Sequence, residues 1–144
     1  MFVRRCLMGL LLFGVALSVC DCDSPELVSI AITPTAQYFS YNAGLTVQFT
    51  AIGTFDQGNH PKTTQDITSQ VTWKSNTPGI ATISSTGLVT TTGTEYGTSN
   101  ITASMNGFTG LIIANATANV CPPDYTASSS GCTAPSTSSV VRAR

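Results

Sequence analysis

One histidine and a handful of carboxylates are the groups in the body of this 144-residue chain whose chemistry invites a catalytic reading. His60 stands between Asn59 and Pro61 in a polar stretch. An imidazole base needs a nucleophile and an orienting acid, and no Gly-x-Ser-x-Gly elbow occurs in the sequence, so His60 reads as a solvated loop residue. Asp56 and Asp66 flank the same stretch, and two carboxyl groups about 5 to 9 Å apart are what glycoside hydrolysis requires. Aspartate also opens turns by accepting a hydrogen bond from its own backbone two residues on. Turn capping accounts for both acids, and Glu95 is the remaining carboxylate of the body. A calcium site at Asp56 and Asn59 would need about six to eight oxygens, of which few are visible. One histidine and a few cysteines do not make a closed zinc set. The expectation is no catalytic residue, no cofactor and no metal.

Two further groups bear on binding. Tyr38, Phe39 and Tyr41 form an aromatic cluster that is the candidate ligand contact, because an exposed ring can stack on a sugar while its hydroxyl bonds the ring substituents. The competing reading packs them on the edge of the core, as large aromatics usually are. Of the five cysteines, Cys6 would leave with a leader, and four remain, which allow three pairings. Cys121 and Cys132 enclose a short Pro/Ser/Gly-containing loop, and in an oxidising compartment a local Cys121–Cys132 bridge is the natural assignment. A long-range pairing with Cys20 and Cys22 is the alternative.

The first 19 residues carry the compartment argument. Arg4 and Arg5 precede an apolar run from Leu7 to Val19, followed by small and polar residues, the three parts of a secretory signal. The run is shorter than the roughly 20 residues that cross a bilayer as a helix. Two processing routes stay open. Leu17-Ser18-Val19-Cys20 resembles a lipoprotein box, with Cys20 the lipidation candidate, although Val19 stands where that pattern has Gly, Ala or Ser. Ala16-Leu17-Ser18 offers an ordinary cleavage site that would retain Cys20 and Cys22. Without Arg4 and Arg5 the chain has four positive against seven negative side chains. That leaves no clustered basic face for nucleic acid.

The elements that must position these residues are strands. Val28, Ile30 and Ile32 alternate with Ser29, Ala31 and Thr33 until Pro34, which cannot donate to a ladder. Leu45, Val47, Phe49 and Ala51 alternate in what reads as the longest strand, running through Phe55 to a turn at Asp56-Gln57-Gly58-Asn59. A polar loop to Gln65 follows. Val71 and Trp73 then face a core, with Thr72 and Lys74 facing away. Ser75-Asn76-Thr77-Pro78-Gly79 is a dense turn signal. Ala81 and Ile83, the turn at Ser84-Ser85-Thr86-Gly87, and Leu88-Val89 read as a hairpin. Ile101, Ala103 and Met105 alternate up to Asn106-Gly107, the hairpin dipeptide that returns the chain through Phe108 to Val120. About seven strands with no helical period past the leader give an all-β sandwich. The organisation is a signal peptide over 1–19, a linker over 20–26, the domain over 27–120, and a Cys-bridged loop with a disordered Ser/Thr/Pro tail over 121–144.

Asp66-Ile67-Thr68-Ser69-Gln70-Val71-Thr72-Trp73-Lys74-Ser75-Asn76, then Ile80-Ala81-Thr82-Ile83-Ser84 and Thr86-Gly87-Leu88-Val89-Thr90, resemble the bacterial immunoglobulin-like group 2 domain. Val28 to Pro34 and Gly97 to Ala103 fit the same pattern, so the resemblance covers about Leu27 to Val120. It implies an immunoglobulin-like two-sheet Greek-key sandwich with no catalytic residues, of the kind found in bacterial adhesins and as accessory modules. In such a sandwich the first strand begins and the last strand ends at opposite poles, about 35 Å apart. The function expected is a non-catalytic exported module, in the cell envelope or secreted, that binds a protein or carbohydrate partner at the cell surface. Membrane anchoring would come through a lipidated Cys20. The alternative is a structural spacer with no ligand of its own, and an enzyme is the remote third reading.

Overall fold

The computed structural model describes residues 24–107 and 110–135, and all regular structure in them is β. The leader, Cys20, Cys22, Phe108 and the end of the tail lie outside the described residues. Twelve strands follow one another: β1 (Glu26–Thr33), β2 (Ala36–Phe39), β3 (Thr46–Gln48), β4 (Thr50–Gln57), β5 (His60–Asp66), β6 (Thr72–Ser75), β7 (Ala81–Ile83), β8 (Leu88–Thr91), β9 (Gly97–Gly107), β10 (Gly110–Val120), β11 (Thr126–Ser128) and β12 (Gly131–Thr133).

One layer is the four-stranded sheet β2-β10-β9-β6, and the other is made of the three-stranded sheets β1-β4-β5 and β3-β8-β7. The run from Thr46 to Gln57 belongs to both of the latter. What reads as one long alternating strand breaks at Phe49, whose N–H donates to the Gly87 carbonyl oxygen at 2.8 Å. Before the break, β3 pairs with β8; after it, β4 pairs with β1 and β5. Phe49 itself is fully buried at the junction. Gly87 makes the close approach workable, because its φ is +81° and a Cβ there would collide with the Phe49 carbonyl oxygen. Only glycine tolerates both conditions cheaply.

The core lies between the layers, with Leu27, Ile32, Phe49, Ile67, Val71, Val89 and Ile101 among its buried members. Burying side chains of this size contributes about 1.5 to 3 kcal/mol each before entropy is subtracted. Ile101 and Ala103 point inward as their alternation requires, and Met105 packs on the core half-buried. Several expectations need correction. Val28 is exposed, at 37%, because a bulge between Leu27 and Ser29 shifts the phase of β1 and puts Leu27 inside instead. An extra residue on one strand turns every later side chain over. Trp73, Val47 and Ile83 are half-buried neighbours of the core and not its centre. The polar stretch from His60 to Asp66 is not a loop but an exposed strand, paired with β4. It has no apolar residue to reveal its period, and Pro61 and Lys62 suit an unpaired edge. Asn106 and Gly107 belong to β9, with Gly107 opposite Gly110, so the Asn-Gly pair ends the strand and is not itself the connection.

The chain enters and leaves at opposite poles. β10 runs antiparallel to β9 and parallel to β2, with Val120 beside both Phe39 and Gly97. At the other end, a Cβ built on Gly107 would stand 2.7 Å from the Leu27 carbonyl oxygen, so the start of β1 lies across the β9–β10 hairpin. Eleven residues of β10 separate this N-terminal pole from the C-terminal one, about 33 Å at strand rise.

Candidate functional site

The acids are held by turns. Asp56, near the end of β4, accepts from the Gly58 N–H at 3.0 Å and faces the Lys62 ammonium at 3.2 Å. The Lys62 hydrogen bond, helped by the Gly58 N–H, holds its carboxyl below the ordinary value. Asp66 accepts from the Thr68 N–H at 2.9 Å. Its carboxyl is also lowered, first by the Thr68 hydroxyl and then by that N–H. Both are therefore carboxylates at neutral pH, without the raised pKa that a general acid needs. Nor do they approach each other. Asp66 stands opposite Ile52, and Asp56 lies four residues further along the same strand, about 13 Å at strand rise. That exceeds the roughly 5 to 9 Å of a hydrolytic pair. His60 stands opposite Gln57 on the exposed β5 strand. Glu95 folds over Gly79, where a Cβ would meet its carboxylate at 2.8 Å. Among the described residues no three His, Cys, Asp or Glu side chains gather as a metal would require.

The aromatic cluster does not stay together. Phe39 is only 4% exposed and belongs to the core. It is removed from the ligand-contact set because Val120 and Phe39 pair on the inward phase of β10 and β2. Tyr38, one residue earlier, pairs with Asn119 and is half-buried. Tyr41 leaves both and joins Tyr96, the ring centroids 6.2 Å apart at 75°. Its hydroxyl donates to the Thr94 carbonyl oxygen at 3.4 Å. Tyr96 is 57% exposed. Edge-to-face contact of this kind adds about 0.5 to 1.5 kcal/mol beyond area burial. Tyr96 has no alternation or turn signal of its own, so its pairing across 55 residues of chain could not be read from local pattern.

A second feature is an open groove of about 200 Å³ lined by Trp73, Lys74, Ser75, Pro78, Thr82 and Ile83. It lies where β6 and β7, outer strands of their sheets, face each other across the layers. The volume is below the roughly 300 to 1,000 Å³ of small-molecule sites. Behind it the layers are latched by hydroxyls. Ser75 donates to the Ala81 carbonyl oxygen at 2.6 Å and meets the fully buried Ser99 hydroxyl at 2.7 Å. Ser99 in turn accepts from the Thr77 N–H at 3.2 Å. This network stabilises the wall of the groove.

The Cys121–Cys132 disulfide is formed, with α-carbons 5.4 Å apart. Cys121 is fully buried, and its N–H donates to the Phe39 carbonyl oxygen at 2.8 Å. The bridge thus ties the β11–β12 hairpin to the C-terminal pole. The lipidation candidate Cys20 lies outside the described residues. Among those residues no helix is long and apolar enough to cross a membrane.

Two comparisons bear on this arrangement. The family described as Bacterial Ig-like domain (group 2) matches residues 27–111. Ice-binding protein 1 of Shewanella frigidimarina (strain NCIMB 400) is 42% identical over 79 residues, 55% of this chain and 8% of that protein. The chain therefore spans under a tenth of the relative's length, a stretch the size of one domain.

Proposed function

The chain belongs to the bacterial Ig-like domain (group 2) family, and from that premise we propose that it is a non-catalytic exported module that spaces or presents its neighbours at the cell surface. The observation that carries this is the placement of the two ends at opposite poles, across the length of β10. A domain entered at one pole and left at the other adds its full height, about 33 Å, to whatever it is joined to. The relative supports the same reading, because the shared stretch is a single-domain segment of a much longer protein. The ice in that protein's name is not carried over to this chain.

The compartment follows from the leader. Arg4, Arg5 and the apolar run direct export, and acylation of Cys20 would fix the N-terminal pole to a membrane. Mass spectrometry of the mature N-terminus from the exported protein tests this. The expected product begins at acylated Cys20 or at Val19; a chain that keeps Met1 and stays inside the cell would overturn it.

A second reading, contact with a protein or carbohydrate partner, is favoured by the Tyr41–Tyr96 pair at the C-terminal pole. Exposed tyrosine there offers an apolar ring and a hydroxyl to a partner facing away from the anchor. Tyr96→Ala should abolish such binding while lowering stability by no more than the lost ring contact is worth, about 0.5 to 1.5 kcal/mol.

A further inference from the structure

The outer face of the four-stranded sheet changes character along its length. On β10 the outward residues from the C-terminal pole are Asn119, Thr117 and Asn115, opposite Thr98, Asn100 and Thr102 of β9. At the N-terminal pole they become Ile113 and Leu111, 54% and 61% exposed, opposite Ser104 and Asn106. Single exposed aliphatics are ordinary. Two adjacent ones confined to one end of an otherwise hydroxyl- and amide-covered face ask for an occupant.

Three observations say which occupant. Among exposed large apolar residues, Leu111, Ile113 and Val28 lie at the N-terminal pole, whereas Tyr96 and Tyr125 lie toward the C-terminal one, with Leu88 between. The hairpin that carries Leu111 abuts the point where the N-terminal segment joins the domain, the Leu27 carbonyl lying 2.7 Å from a Cβ on Gly107. Five residues lie between Cys20 and Glu26, so the link reaches at most about 22 Å. An acyl group on Cys20 would therefore hold this pole, and no other, within reach of the lipid surface. The charges nearby are Glu26, which pairs across the strands with Asp56, and Lys62 on Asp56. Their acidic balance favours a zwitterionic over an anionic surface.

We propose that the Leu111–Ile113 end of the β9–β10 hairpin is a membrane-contact patch that seats the N-terminal pole on a zwitterionic lipid surface beside its attachment. This rests on the exported, N-terminally attached reading above. Seating would hold the sandwich at a fixed tilt, with the Tyr41–Tyr96 pole turned outward.

The test separates the patch from the attachment. The mature chain is bound to phosphatidylcholine vesicles containing a photoactivatable phosphatidylcholine, through acylated Cys20 or, where that residue proves unmodified, through an N-terminal polyhistidine tag on a nickel-chelating lipid. Crosslinked peptides are then mapped. The expected result is an excess of about tenfold on the Leu111–Ile113 peptide over the Tyr96 peptide, the factor that partial burial of two aliphatic side chains supplies. In the Leu111→Ser, Ile113→Ser variant it should fall to the smaller excess that the tether alone gives, with the melt unchanged. Equal labelling at both poles, or an excess undiminished by the double substitution, overturns the proposal. So does a dimer in vesicle-free sedimentation that the double substitution abolishes, since the patch would then face a second copy. An unmodified Cys20 refutes the anchor alone, because the tagged chain still reports on the patch.

Discussion

The indole N–H of Trp73 donates to the carbonyl oxygen of Thr68 at 2.8 Å. Thr68 is bound at three points, since its hydroxyl accepts from the Ala51 N–H at 2.9 Å and its own N–H donates to Asp66. The tryptophan therefore closes the link between β5 and β6 onto β4, while one part of its ring lines the open groove. Trp73→Phe keeps most of the apolar contact and loses the hydrogen bond, at a cost of about 1 kcal/mol. Trp73→Ala should cost about 3 kcal/mol, the low end for a large aromatic, because the ring is only half-buried. Urea midpoints of the two variants check the order, and an alanine variant as stable as the phenylalanine one would contradict it.

The Ser75–Ser99 latch makes a separate prediction. Ser99→Ala leaves the part-buried Thr77 N–H without its acceptor and should destabilise the domain by about 1 kcal/mol. Ser75→Ala acts on the same network, so the double variant should lose less than the sum of the singles. Additive losses in denaturant melts would mean that the hydroxyls act independently.

Acid should weaken the fold through Asp56 and Asp66. Each has its folded-state pKa below the ordinary 3.8. A group lowered on folding contributes stability that is present above its unfolded value and lost as pH falls through the folded one. These two carboxylates should thus leave stability flat at neutral pH and reduce it below about pH 4. The Asp56→Asn, Asp66→Asn variant should show a shallower acid limb in thermal melts, with no hydrolytic activity changed by the substitution. Identical limbs would remove the turn-capping account.

Reduction of Cys121–Cys132 should act locally. The bridge holds β11 and β12, which pair only with each other, whereas β9 and β10 are joined by eleven register pairs. Hydrogen exchange after reduction should rise over Thr126–Thr133 and stay slow over Ile101–Ala103. Loss of protection throughout would show that the sandwich depends on the bridge.

Alternation revealed the strands whose two faces differ, such as β9, where Ile101 and Ala103 are buried between Asn100, Thr102 and Ser104. It failed for His60–Asp66, which is exposed along its whole length, so no face is marked by apolar residues. It also missed the bulge at Val28 and the break at Phe49. Both depend on a partner strand, and the Gly87 carbonyl that receives the Phe49 N–H lies 38 residues away in the chain. The candidate contacts divide for the same reason. Adjacent residues of one strand point to opposite faces, so Tyr38 and Phe39 were bound to part. Tyr41 found its partner across a loop that carries no periodic signal. The Cys121–Cys132 pairing was legible because it is local and its loop short.

The opposite placement of the two ends has a mechanical consequence. Tension applied through Glu26 and Val120 runs along the strand axis, and β2 and β10 are parallel neighbours drawn in opposite senses. The four pairs from Ala36–Thr117 to Phe39–Val120 are then loaded in shear. Ladder bonds lie across the strands, so sliding must strain them together and cannot open them one at a time. A module pulled this way carries load in shear across its β2–β10 seam.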